Sequence, residues 1–513
     1  MRSTFMGLEA SKRGLFTQQS ALYTTGHNVS NANTLGYSRQ RVNMEATLGY
    51  PGTGLNAPKT PGHIGTGVQA QSVQRIRDTF IDRQFRQESS KLGYWESKSN
   101  AISQMEDIMS EPSDFGLNES LDQFWKSLQD VSTNPENASS RKVAIQKGIA
   151  VAESFNYLSN QLTDIQENLK NEILVSTSDI NSILEQISSI NEQIQAIEPN
   201  GYMPNDLYDT RDVLIDELSQ YFPIDISFEK SGGNALSIAE GSVNISIKTA
   251  NGPISIVTGK EFANLTPNTG TTAPMTDTEG YQPFTSFTVT KNGTATEIEY
   301  GDLEANRGKM LSLIDSYGYG AVADQTGFYP NMLKNLDDLA KAFADEFNKI
   351  HAGGHAMSAN TGVPNFFEYT NGAKDIKVID AYETDSSLFR ASTAAGEEGN
   401  GKNALALANM KSKPIAGALG TGGLNGATIQ TYYQSIIGEL GVSGEQAIRL
   451  ATNSQTIKST VENNRASQSS VSLDEEMTNM IIFQQAYNAN ARMITIVDET
   501  LDKIINGMGR VGL

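Results

Sequence analysis

Apolar residues recur every seven positions at both ends of the chain. Leu8, Leu15, Leu22 and Val29 mark the start, and Leu473, Met480, Tyr487, Ile494, Leu501 and Met508 mark the end. A sustained seven-residue repeat returns side chains to one side of a helix and favours a coiled-coil seam. Met477, Phe483, Ala491, Val497, Ile504 and Ile505 widen the second stripe, which spans about 53 Å as one helix. One such stripe alone fits an amphipathic helix packed on its own domain. Matching stripes at both ends favour pairing of the two terminal helices, or assembly with other copies.

Helical spacing also governs residues 80–222. Ile81, Phe85, Leu92, Trp95, Ile102, Met105 and Met109 predict one helix, stopped by Pro112. A short helix carries Leu121, Phe124, Trp125 and Leu128. A long one runs from Ser139 to Ile197 on a Leu/Ile stripe, about 88 Å if unbroken, before the turn Glu198-Pro199-Asn200-Gly201. A further helix covers Asp206–Tyr221. Residues 223–301 then alternate apolar and polar in short runs separated by Gly, Asn, Thr and Pro, which predicts strands. Helix returns at Asn331–His351. Residues 352–426 are mixed, with strand at Ile376–Ile379 and helix near Ala404–Met410. From Thr428 to Arg510 the pattern is helical almost throughout.

The expected fold is therefore multidomain and mainly α: a long helical rod built from both chain ends and the helical middle, with inserted β-rich outer domains. The division is 1–45 with 460–513 as terminal coiled-coil segments. The rod is 46–222 with 302–354 and 427–459. Residues 223–301 form a β-rich insert, expected to be removable without unfolding its host because closing a loop depends weakly on its length. Residues 355–426 form a second, mixed α/β insert.

The chain has 513 residues and a net charge of -20. That argues against a nucleic-acid partner, which needs a basic surface. The charge is uneven: residues 1–87 carry net +6 and the rest net -26, so the first segment is expected to meet something other than solvent. There is no Cys, which excludes disulfides, thiolate metal sites and thiol catalysis. No apolar run is long enough for a membrane span, and the basic N-terminus lacks the apolar stretch of a secretory signal.

Candidate chemistry is sparse. His351 and His355 are four apart, but Ala352 stands where a zinc-protease helix needs its Glu, and Gly353 and Gly354 oppose a continued helix. No metal is expected there. The glycines around Gly62–Gly67 and in 420–426 lack the Lys-Ser/Thr ending of a phosphate loop and read as turns. Asp474-Glu475-Glu476 suits a helix start, where carboxylates complement the dipole. No catalytic or cofactor-binding set emerges.

The more specific local signal runs from Gly26 to Val42, where Asn28, Asn31, Asn33 and Gly36 precede Tyr37. Asn and Gly tolerate left-handed backbone, and Asn side chains bond nearby main chain, so this is a structured exit from the first helix into extended Tyr37–Met44. The segment Asn-Ala-Asn-Thr-Leu-Gly-Tyr at 31–37 resembles the motif of bacterial flagellar axial proteins. Its extension Ser38-Arg39-Gln40-Arg41-Val42 is similar to that of the hook-associated protein 1 (FlgK) family. Residues 64–80, 205–220, 339–354 and 472–507 carry further resemblance, in the family's order. Leu35 departs from the Pro usual at that position. Residues 223–301 lie outside the resemblance.

The resemblance implies a structural subunit of the flagellum, secreted and extracellular, that joins hook to filament. It implies a ring of copies, with N- and C-terminal helices paired in an inner tube. The hook protein and hook-associated protein 3 would be neighbours. It also implies type III export, with a chaperone on the C-terminal helices, and no enzymatic activity. Hook-associated protein 3 and flagellin share heptad ends but lack the Asn-Ala-Asn-Thr-x-Gly-Tyr motif. A displayed hydrolase would need a His/Glu or Ser/His cluster that 223–301 does not contain, whereas a surface-binding module in the inserts stays open.

Overall fold

A computed structural model of the chain describes residues 5–50, 65–109, 116–270, 273–276, 280–303, 307–321, 324–357, 365–414 and 426–507. Pro112, Gly62, Met508 and residues 420–425 lie outside them.

The chain opens with α1 (Phe5–Ser30), followed by an antiparallel pair, β1 (Gln40–Ala46) and β2 (Val68–Arg75). Then come α2 (Thr79–Ile108), α3 (Leu117–Thr133), α4 (Ala138–Ile197) and α5 (Asn205–Tyr221). The Asp78 carboxylate caps α2 by accepting from Phe80 N, and Asn137 caps α4 in the same way through Ser139 N. The 60 residues of α4 make a spine about 90 Å long. It stops at a single 3₁₀ turn holding Pro199, after which Gly201 takes the left-handed conformation.

The β-rich part carries β3 (Ile224–Glu229), β4 (Ser242–Ile247), β5 (Ile254–Thr258), β6 (Glu261–Phe262), β7 (Asn264–Thr269), β8 (Ala273–Pro274), β9 (Phe284–Lys291) and β10 (Thr294–Glu299). Next are α6 (Lys309–Tyr317), β11 (Tyr319–Ala321), β12 (Asp324–Thr326) and α7 (Phe328–Ala352). The mixed part follows with β13 (Phe367–Glu368), β14 (Lys377–Val378), α8 (Ala381–Thr384) and α9 (Lys402–Ala408). The chain closes with α10 (Ile429–Ser469) and α11 (Leu473–Asp502).

One sheet runs β3-β4-β5-β6. The other runs β12-β11-β9-β7-β8, with β10 added on β9. The second sheet therefore continues past residue 301, the boundary drawn from the sequence, because β11 pairs in parallel with β9 at Tyr319 and Phe284. Two other boundaries shift for the same reason, continuity of hydrogen bonding: 45 falls inside β1, and 459 falls inside α10. The terminal helical run is broken once, at residues 470–472, before α11 begins.

The insert packs directly on α4. Ile180, Ile183, Leu184 and Ile187 on α4 belong to the same buried cluster as Val243, Ile245, Ile256, Val257 and Leu265 of the sheets. Asn191 of α4 ties the first sheet down, accepting from Val243 N and donating to Val243 O and Gly259 O. The expectation that 223–301 can be removed freely thus meets an apolar helix face that packs against the sheets. At the other end of α4, Phe124, Phe155, Phe343, Phe347, Phe366 and Phe367 form an aromatic core shared by α3, α4, α7 and β13. The helices α2 and α10 pack along each other, as do α1 and α11.

Candidate assembly interface and its anchor

The two terminal helices run antiparallel. A Cβ built on Gly14 would stand 2.8 Å from Asn490 Oδ1, and fourteen positions later on α1 but fourteen earlier on α11 Asn28 meets Glu476. The face of α1 that is fully buried carries Gly14, Thr17, Ala21, Thr24, Thr25 and Asn28. Small side chains there allow a close approach to α11 and to the β1–β2 pair, where Thr17 Oγ1 donates to Val68 O at 3.3 Å.

The heptad residues Leu8, Leu15, Leu22 and Val29 lie beside this face and are half-buried. Met480, Tyr487, Ile494 and Leu501 are also half-buried on α11, while Leu473 is exposed. Large apolar side chains stay open on both helices: Phe16 and Tyr23 on α1, and Ile481, Ile482, Met493 and Ile496 on α11.

The Asn/Gly segment anchors this pair to the rest of the molecule. Asn31 closes α1, its side-chain amide donating to His27 O at 3.1 Å, and Thr34 Oγ1 donates to Asn31 Oδ1. Gly36 turns the chain at φ +78°, and a Cβ there would overlap the Val213 Cγ2 methyl of α5. Tyr37 folds back so that its hydroxyl donates to Asn28 Oδ1 at 2.8 Å and lies 3.0 Å from His27 Nδ1. Burial, reinforced by Asp206, Asp209 and Glu476, pushes the Tyr37 phenol well above its usual range, so it stays a donor. Asn33 is exposed at the loop tip, as is Leu35.

The next residues tie four elements together. Ser38 N donates to Asp209 Oδ2 of α5 at 3.0 Å, and Arg39 N donates to Ser469 O at the end of α10 at 2.8 Å. The Arg39 guanidinium bridges Glu475 (2.6 Å) and Glu476 (2.7 Å) in the first turn of α11. These carboxylates do stand in the first turn of a helix, and they also hold it in place.

Behind this lies a buried ionic cluster that the sequence reading passed over. Asp209, Asp212 and Asp216 project from one face of α5. Asp212 takes Arg77 at 2.9 Å, Arg75 at 3.0 Å and Arg86 at 3.1 Å. Asp209 pairs with Arg75 at 2.7 Å, and Asp216 with Arg86 and Arg465, each at 2.7 Å. Arg211 and Arg75 share Glu240 from the insert. The strand β2, the helices α2, α5 and α10, and the insert therefore meet at one knot of charge. Burial alone would raise the Asp212 carboxyl, yet Arg77, Arg75, Arg86 and Arg211 hold it far below the usual range. Burial pushes Asp209 up in spite of Arg75 and the Ser38 N–H. The i, i+3, i+7 spacing of these Asp residues was a readable sign of a carboxylate face. Their Arg partners come from distant segments and had no local mark.

This arrangement binds elements together and offers no pairing of nucleophile and base. His351 is buried at the end of α7, its Nε2 accepting from Arg390 N at 3.2 Å, whereas the His355 main chain pairs with Ser392. Among the described residues no group of three His, Cys, Asp or Glu could hold a metal ion, and no helix is long and apolar enough to cross a membrane.

Residues 102–367 match the family model of the flagellar hook-associated protein FlgK helical domain, and residues 462–507 match that of the flagellar basal body rod FlgEFG protein C-terminal. The chain is 44% identical to flagellar hook-associated protein 1 of Bacillus subtilis, over 99% of both chains. It is 25% identical to that of Escherichia coli, over 96% of this chain and 98% of the relative. In fold it is similar to the flagellar hook junction protein FlgK from Burkholderia pseudomallei, with a TM-score of 0.57 and 13% identity, covering 76% of this chain and all of that one.

Proposed function

Because the chain belongs to the flagellar hook-associated protein 1 (FlgK) family, we propose that it is the structural subunit that joins hook to filament, outside the cell. In this reading copies form a ring, with α1 and α11 paired in its inner tube. The hook protein lies on one side and hook-associated protein 3 on the other, and an export chaperone covers α11 beforehand. The heptad residues Leu8, Leu15, Leu22, Val29, Leu473, Met480, Tyr487, Ile494, Leu501 and Met508 form the assembly seam. The motif residues Asn31, Asn33, Gly36 and Tyr37 set the angle at which the pair leaves the rod.

The observation that carries this reading is the terminal helix pair, which leaves large apolar side chains without cover in a single chain. Tyr23 is 78% exposed, and Ile481 and Ile482 are each 54% exposed. A stable lone protein rarely presents such a face unless a partner covers it. The test is a chain carrying Tyr487→Asp and Ile494→Asp. The expected result is export with the rod and insert intact by circular dichroism, and cells with hooks but no filaments. Motile filaments built from this variant would overturn the seam.

A further inference from the structure

The strand β3 is the outer strand of its sheet, paired only with β4. Lys248 N donates to Pro223 O, which sets the antiparallel alternation: residues 225, 227 and 229 bond across to β4, and the main chain of Ile224, Ile226 and Phe228 points away from it. The same alternation turns Val243 away from β3, and Val243 indeed bonds Asn191 of α4. Among the described residues no main-chain or side-chain partner meets the outward groups of 224, 226 and 228. An open edge of this kind is a template for another strand.

This edge forms one wall of a cleft of about 540 Å³, whose other wall is the start of α2. Of its basic lining, Arg83 and Lys230 are exposed, while Arg75, Arg77 and Arg86 are already paired with the α5 carboxylates and Lys248 with Asp225, in a chain of net charge -20. Arg83 of α2 is exposed there, and no ion pair to it is found among the described residues. Phe228, 46% exposed, and Ile238, 37% exposed, supply apolar surface.

We propose that this cleft docks an extended protein segment of alternating apolar and acidic residues, added as a further strand on β3. Its main chain meets the outward groups of Ile224, Ile226 and Phe228. Its apolar side chains lie on Phe228 and Ile238, and its carboxylates face the exposed cations Arg83 and Lys230. This is the geometry of strand addition, in which main-chain bonds supply affinity and alternate side chains supply selectivity. It does not depend on the role at the hook–filament junction, so each can fail without the other.

The test uses the full chain and a fluorescein-labelled peptide, Thr-Asp-Val-Glu-Val-Asp-Thr, followed by anisotropy. Its counterpart is Thr-Lys-Val-Lys-Val-Lys-Thr. Saturable binding of the acidic peptide below about 1 mM is expected, with none of the basic one. Ile226→Pro removes an outward N–H that β4 does not use, a place where an edge strand tolerates Pro, and should weaken binding about tenfold or more. Arg83→Glu, on an exposed helix position, should weaken it about tenfold and reduce its salt dependence. It serves as the independent variant if the proline chain does not fold. No saturable binding, equal binding of both peptides, or full binding by Arg83→Glu would overturn the proposal. Displacement of the peptide by raising the concentration of the chain itself would also overturn it, since the edge would then belong to a second copy.

Discussion

Asn28 and Glu476 lie 448 positions apart and share a hydrogen bond of 3.1 Å between Asn28 Nδ2 and Glu476 Oε2, both side chains almost wholly buried. Asn28 also donates to Gln40 O, while its Oδ1 accepts from Gln40 N and the Tyr37 hydroxyl. One amide thus fixes the end of α1, the motif loop, the start of β1 and the start of α11. Truncating it in Asn28→Ala leaves several buried groups unpaired, which costs about 1–3 kcal/mol. Hydrogen exchange should show faster opening of residues 16–30 and 473–487 together, with the aromatic core of α3, α4 and α7 unchanged. Faster exchange confined to α1 would show that the amide does not couple the two helices.

Gly36 needs both a left-handed backbone and an absent Cβ, because Val213 occupies the space. Gly36→Ala should therefore destabilise the junction of loop and α5 by about 1–3 kcal/mol. Adding Val213→Ala relieves the overlap but not the backbone strain, so a partial rescue is expected in a double-mutant cycle measured by thermal melting. Strict additivity would place the whole cost in the backbone.

The pH dependence of the ionic knot follows from Asp212. Its carboxyl is held below its ordinary 3.8, so the native state binds this proton less readily than the unfolded chain. The stabilisation is full above about pH 4 and is lost as pH falls through the depressed native value. Asp212→Asn removes that contribution and leaves three Arg side chains short of a partner, a loss of about 3–5 kcal/mol at neutral pH. The difference in melting temperature between parent and variant should shrink as pH falls from about 5 to about 3. A constant difference over that range would assign the loss to packing. Asp209, whose pKa is raised, works in the opposite sense: its contribution is present at low pH and lost as pH rises through the raised native value.

Replacing residues 225–300 with a short Gly/Ser linker uncovers Ile180, Ile183, Leu184 and Ile187, each 4% exposed or less. Exposing each such side chain costs about 1.5–3 kcal/mol. The shortened chain is expected to aggregate, or to lose cooperative melting, rather than retain a folded rod. A sharp melt at the parent temperature would show that the helices α2, α5 and α6 can close over the exposed face.

Much was legible in order along the chain. The Leu/Ile stripe of α4 and its Pro199 stop are local signals, and they place the spine within a residue of its observed ends. The alternation after Pro223 likewise marks strands, and the Asn/Gly segment marks a structured turn before β1. These features come from short-range periodicity and from backbone preferences of single residues, which need no knowledge of distant partners. The heptads at the two ends also identified helices. They did not say which face of α1 is covered, because the closest contact uses Gly14, Ala21 and Thr residues that a hydrophobicity pattern ignores.

Pairings between remote segments were decided only by the tertiary structure. β11 joins β9 across α6, the Arg residues of β2, α2 and α10 converge on three Asp of α5, and the sheets seal the flank of α4. Each depends on loop closure and on burial that is shared between elements. A polar residue such as Asp212 reads in the sequence like any surface carboxylate of an acidic chain, and becomes a central tie only when four arginines are folded around it. The sequence by itself determined the family resemblance, the long helices and the strand-rich stretch. Packing decided where the chain is held together, because charge and small side chains acquire their energetic meaning from what surrounds them.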